Sequence, residues 1–219
     1  MPPLISSDRA RFEARWREIW PSPSNGAADA ARAELIAAYG AAGRHYHDAA
    51  HVTALLALSA EYAASLADRD AVDLAIFYHD AIYDPQRGDN EARSADMVRS
   101  RLAAQGLATD YVAKIARWIE ATKHAGGGPS GDSDLDHLLD FDLSILAAEP
   151  AVYAAYAAAI RREYSVYPDV LYRPGRAKVL RAFLAMPRIY RVPALAASWE
   201  QPARINLATE LAGLDSQPR

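Results

Sequence analysis

The chain of 219 residues contains no cysteine. Disulfides, thiolate metal sites and thiol nucleophiles are excluded together, and a reducing compartment suits such a chain. A basic surplus is also lacking. Lys+Arg number 24 against 28 Asp+Glu, a formal net charge of −4, the opposite of what a duplex-binding surface needs. Duplex nucleic acid is therefore not expected as a partner, whereas a small phosphorylated ligand needs only a few local cations. No apolar run approaches the roughly 20 residues of a membrane span. The opening Met1-Pro2-Pro3-Leu4-Ile5-Ser6-Ser7-Asp8 has no basic stretch followed by an apolar core. Neither a membrane span nor a signal peptide is expected, and the location expected is cytoplasmic. Glycine is scarce outside one tract and almost nothing alternates with period two, which leaves little material for strands.

What is present reads as helix. The composition is 51% hydrophobic, drawn mainly from Ala, Leu, Ile and Val. Ser7-Asp8 caps a first segment in which Phe12, Trp16, Ile19 and Trp20 share a face. After a linker over 21–26, a second helix spans 28–38 and buries Leu35, Ile36 and Tyr39. Further helices are predicted over 51–66, from Asp70 through His79 and Asp80, over 89–105 closed by Gly106, and from Thr109 to about 124 with Val112, Ile115, Trp118 and Ile119 inside. Gly126-Gly127-Gly128-Pro129-Ser130-Gly131 reads as a flexible loop, a hinge or lid at most, because it lacks the Lys-Ser/Thr of a phosphate loop. Helices follow over 134–148, from Pro150 to Tyr164, over 174–186 and over 195–214. No repeat and no composition break divides the chain, so an all-α, single-domain protein over 1–219 is expected.

Two constellations of metal-ligating residue types stand out. His47-Asp48-Ala49-Ala50-His51 has the spacing of the helical zinc-protease motif with Asp in place of Glu. The shorter carboxylate would fall short of a metal-held water, and Gly43 upstream disfavours a regular helix. The second constellation joins His51 to His79-Asp80 and to a later Asp. Burying an adjacent imidazole and carboxylate at the end of the apolar run Ile76-Phe77-Tyr78 is costly unless something pairs with them, and a divalent ion is one such partner. Asp142, between Leu138/Leu139 and Ile145/Leu146, lies on or near a buried stripe and suits the remaining ligand position. Its neighbour Asp140 is expected to face solvent. A buried Arg or Tyr hydrogen-bonded to Asp142 is the plain alternative. His45 and His137 are expected at the surface or satisfied in the core.

The ordered set His51, His79-Asp80, Asp142 resembles the H…HD…D signature of the all-helical HD-domain metal-dependent phosphohydrolases. Longer segments are similar to a bacterial branch of predicted HD-superfamily hydrolases. They are Arg44-x-Tyr46-His47-x-x-x-His51-Val52, Tyr78 to Asp84, Asp89-Asn90-Glu91 with Ser94-Ala95, Thr122-Lys123-His124, Asp140-x-Asp142-Leu143-Ser144-Ile145-Leu146, Ile160-Arg161-x-Glu163-Tyr164, Gly175-Arg176 and Ala203-Arg204-x-Asn206-Leu207. The resemblance implies an HD-domain helical bundle and a hydrolase. His51, His79, Asp80 and Asp142 would hold one divalent transition metal ion (Mn, Co, Ni, Fe or Zn, with Mg also admitted), and metal-bound hydroxide would cleave a small, nucleotide-like phosphoester or phosphoanhydride. Asp80 is then both ligand and catalytic residue. Tyr83 stands where nucleotidase-type members carry Glu, so the general acid is left between Asp84 and Glu91. Arg44, Lys123 and Arg176 are the cations for phosphate, each with a salt bridge as its alternative, and His124 joins the substrate side or a second ion. The alternative reading is a regulatory protein that keeps the metal and a ligand but turns over little. Homodimer formation through an apolar face is a further expectation.

Overall fold

The computed structural model describes residues 6–21, 26–124 and 128–216. Among them the chain is all-helical, with ten α-helices, two short 3-10 turns and no strand. Those helices are α1 Ser6–Ile19, α2 Gly26–Tyr39, α3 Ala49–Glu61, α4 Arg69–Tyr78, α5 Asn90–Ala104, α6 Thr109–Ala121, α7 Ser133–Asp142, α8 Pro150–Glu163, α9 Asp169–Ala185 and α10 Pro193–Ser216. Most of the expected linker after Pro21, the first five residues, and Ala125 with the first two glycines of the glycine tract lie outside the described residues. No described helix is long and apolar enough to cross a membrane. The chain divides into two compact units, Met1–Ala125 and Gly126–Arg219.

In the first unit, α4 is the buried axis. Every residue from Ala71 to Tyr78 is buried, the pattern of a helix covered on all sides. Phe77 receives the edges of Phe12 and Trp16 from α1, with ring centroids 4.6 Å and 5.1 Å away. Burial of Asp73 on this helix is compensated by Arg15 of α1, whose Nε donates to Oδ2 at 2.5 Å. α4 is opened by Asp68, not by Asp70 as the sequence suggested. The Asp68 carboxylate accepts the Ala71 N–H at 3.0 Å, while Asp70 is left exposed to pair with Arg15. Ile36 of α2 is only half-buried, whereas Ala31, Leu35 and Tyr39 form the buried stripe.

In the second unit, Leu143, Leu146, Tyr153, Leu180, Tyr190 and Leu207 pack into one core. The helix expected over 134–148 is broken here. α7 stops at Asp142 and a 3-10 turn, Ser144–Ala147, follows. Asn206 of α10 donates to the carbonyls of Leu146 and Ala148, satisfying backbone that a continuous helix would have used. α9 begins at Asp169 and runs through Pro174, with Val170, four residues before the proline, exposed.

Asp140 reverses an expectation. It is fully buried, and it is Asp142 that is only half-buried. The Asp140 carboxylate accepts the backbone N–H of Arg191 at 2.9 Å and of Val192 at 2.8 Å, tying α7 to the segment that precedes α10. Burial pushes its carboxyl up to about 6, against the pull of those N–H groups and the Arg191 guanidinium. Helical periodicity could not reveal a partner about 50 positions downstream.

Candidate metal centre

α3 begins at Ala49 because Asp48 caps it. The Asp48 carboxylate accepts the N–H groups of Ala50 at 2.9 Å and His51 at 3.3 Å. His51 therefore sits in the first helical turn, buried, while His47 lies before the helix. The zinc-protease arrangement fails on both counts: the two histidines do not share one helix, and the intervening carboxylate is engaged as a cap. His47 instead stacks on Tyr83, with ring centroids 4.2 Å apart.

α4 ends at Tyr78. His79 is its C-cap, and the Ala81 N–H closes a turn onto the Tyr78 carbonyl at 3.0 Å. Pro85 then denies Asp84 the helical region, and the Asn90 side chain holds the Asp84 backbone from both sides. Asp80 thus lies in a turn rather than on a helix. The His79 backbone stays in the right-handed helical region (φ −56°, ψ −38°), and its Nε2 and the Asp80 Oδ2 nonetheless approach one point beside the chain, 3.1 Å apart.

Three ligand atoms converge there. His51 Nε2 and His79 Nε2 are 3.1 Å apart, and Asp80 Oδ2 lies 3.1 Å from the second and 3.9 Å from the first. His79 Nδ1 faces the Ile76 carbonyl at 2.9 Å, which assigns the proton to Nδ1 and the lone pair to Nε2. An ion with bonds of roughly 2.1 Å sets neighbouring ligand atoms about 3 Å apart, so the spacing of this donor set fits a small divalent cation. Two imidazole nitrogens and a carboxylate suit a first-row transition ion. His51 and His79 are among the residues able to hold a metal ion.

The other expected site residues are distributed as follows. Asp84 is half-buried, and its carboxylate accepts the Gln86 N–H at 2.9 Å. Glu91 is half-buried in the first turn of α5. Lys123, exposed beyond α6, donates to the Gly88 carbonyl at 2.6 Å, and His124 next to it has a left-handed backbone, φ 51°. Arg44 spends its fork on backbone, donating to the carbonyls of His47, Asp80 and Ala81. Arg176, in the second unit, makes a two-pronged bond to Glu210 at 2.7 Å and 2.9 Å. His137 is satisfied in the core by the Ser133 carbonyl at 2.7 Å, and His45 is exposed. Asp142, the last residue of α7, belongs to the second unit. The cap role of Asp48 and the carbonyl clamp of Arg44 were missed in the sequence. The first had a signal, an Asp immediately before an apolar helical run; the second had none.

No protein-family model, no curated protein and no solved structure matches this chain.

Proposed function

We propose that this protein is a metal-dependent phosphohydrolase of the HD type, acting on a small, nucleotide-like phosphoester or phosphoanhydride. The observation that carries the reading is the convergence of His51 Nε2, His79 Nε2 and Asp80 Oδ2 at mutual distances of 3.1–3.9 Å. A bound divalent ion would supply Lewis acidity, polarising phosphate oxygens and making water easier to deprotonate. His51 and His79 contribute neutral nitrogens, and Asp80 contributes the anionic charge that offsets the ion. Asp142 is carried as the remaining ligand, and it too is among the residues able to hold a metal ion. Asp84 and Glu91 are the two candidates for the acid that protonates a leaving-group oxygen. Among the three cations, Lys123 is exposed, and among the described residues its ammonium donates to the Gly88 carbonyl, which makes it the candidate for phosphate. A cytoplasmic setting and self-association belong to the same proposal.

A regulatory protein that keeps the metal with little turnover is the second reading. It draws support from Arg44 and Arg176, whose guanidinium forks are both closed on partners within the chain. Elemental analysis of the purified protein beside Asp80→Ala and Asp142→Ala, followed by a metal-supplemented screen of phosphate release from nucleotides, separates the readings. Near-stoichiometric metal, lost in both variants together with turnover, is expected. Metal without turnover on any substrate favours the regulatory protein. A fully active Asp80→Ala enzyme would sink the hydrolase reading.

A further inference from the structure

Arg44 joins two stretches of chain that carry the converging ligands. Its Nη1 donates to the His47 carbonyl at 2.9 Å and to the Asp80 carbonyl at 2.6 Å, and its Nη2 donates to the Ala81 carbonyl at 2.9 Å. The first carbonyl lies on the approach to α3 and His51; the other two lie in the turn that follows His79. The flat cation is covered by the rings of Tyr39 and Tyr83, with centroids 5.1 Å and 5.5 Å from Cζ. Tyr39 is itself pinned to the end of α4 through a hydroxyl bond to the Phe77 carbonyl at 3.0 Å. A lysine could neither bridge three carbonyls from one plane nor stack between rings in this way, because its donors radiate from a single point.

We propose that Arg44 is a positioning residue. By clamping the Asp80 and Ala81 carbonyls to the His47 carbonyl, it sets the Asp80 carboxylate against the Nε2 atoms of His79 and His51, and it does not bind the substrate phosphate. This inference rests on the reading of those three residues as metal ligands. Removing a group that orients a ligand commonly weakens metal affinity by about 10–100-fold without touching the ligands themselves.

The experiment compares wild type, Arg44→Ala and Arg44→Lys. Circular dichroism checks folding. Amide hydrogen exchange at Ala81 and Ile82 is measured on metal-free protein, cobalt affinity by titration, and inorganic phosphate affinity on cobalt-loaded protein. In Arg44→Ala both amides are expected to exchange at least about tenfold faster and cobalt to bind about 10–100-fold more weakly. Arg44→Lys should fall between, and it carries the test if the alanine variant does not fold. Faster exchange with unchanged cobalt affinity would overturn the positioning role. Unchanged exchange and cobalt affinity with weakened phosphate binding would overturn it in favour of direct substrate contact. A wild type that binds no cobalt, while the variants still loosen the turn, removes the metal function and leaves the clamp standing.

Discussion

The Nε2 atoms of His51 and His79 face each other at 3.1 Å, and the His79 proton is drawn to the opposite side of its ring by the Ile76 carbonyl. Two imidazoles held this way are preorganised for a shared cation, so metal binding should stabilise the fold. At free metal 100 times its dissociation constant the gain is about 2.7 kcal/mol. Thermal or urea unfolding with cobalt and with chelator measures it. His51→Ala and His79→Ala are each expected to abolish the difference; a difference that survives in both would place the ion elsewhere.

His47 lies outside α3, stacked on Tyr83. His47→Ala is therefore expected to retain metal at wild-type stoichiometry. Asp48→Ala should instead lower stability by about 1 kcal/mol through loss of the α3 cap, read from the shift in urea midpoint. Metal lost with His47 but kept without Asp80 would restore the protease-like arrangement.

Asp68 supplies the pH dependence. Burial alone would raise its carboxyl, but Lys114 at 2.7 Å, the Ala71 N–H and the Tyr111 hydroxyl outweigh burial and hold it below the usual Asp value. Because the folded value lies below the unfolded one, the stabilisation is complete above about pH 4 and is lost as pH falls through the folded value. The side chain is a third exposed, so solvent screening keeps the effect to roughly 1 kcal/mol. The stability gap between wild type and Asp68→Asn should narrow as pH drops from 5 to 2; a gap that widens would contradict this assignment.

Glu210 neutralises Arg176, whose side chain is only 9% exposed, and also accepts the Tyr153 hydroxyl at 2.5 Å. Glu210→Ala leaves a buried cation without its partner and should cost about 3–5 kcal/mol. The double variant Glu210→Ala/Arg176→Met should recover much of that loss. If Glu210→Ala is neutral in chemical denaturation, the Arg176 fork is open to other anions, including phosphate.

Asp140 should be equally unforgiving for a different reason. Asp140→Ala strips the acceptor from the Arg191 and Val192 N–H groups, at about 1–3 kcal/mol for each group left unsatisfied. Asp140→Asn keeps an acceptor and should lose less. Equal urea midpoints for the two variants would show that the acceptor does not matter.

By itself the sequence determined what depends on near neighbours. Apolar spacing, caps and prolines decide helix against strand, so the all-helical class, the Pro150 start of α8, the Gly106 stop after α5 and the buried face of α6 were legible. The candidate donors were legible as well, since burying imidazoles and a carboxylate such as His51, His79 and Asp80 beside apolar helices demands a partner. Only the tertiary structure decided where those groups point and which charges are already engaged. That the His79 ring meets His51 follows from the packing of α4 against α3, a contact between residues 28 positions apart. Asp140 rather than Asp142 is the fully buried carboxylate because backbone N–H groups about 50 residues away reach it. Arg44 and Arg176 read as equivalent surface cations until their partners, distant in sequence, are seen to occupy them. Pairings across that many residues leave no periodic trace along the chain, because they are selected by packing rather than by local backbone preference.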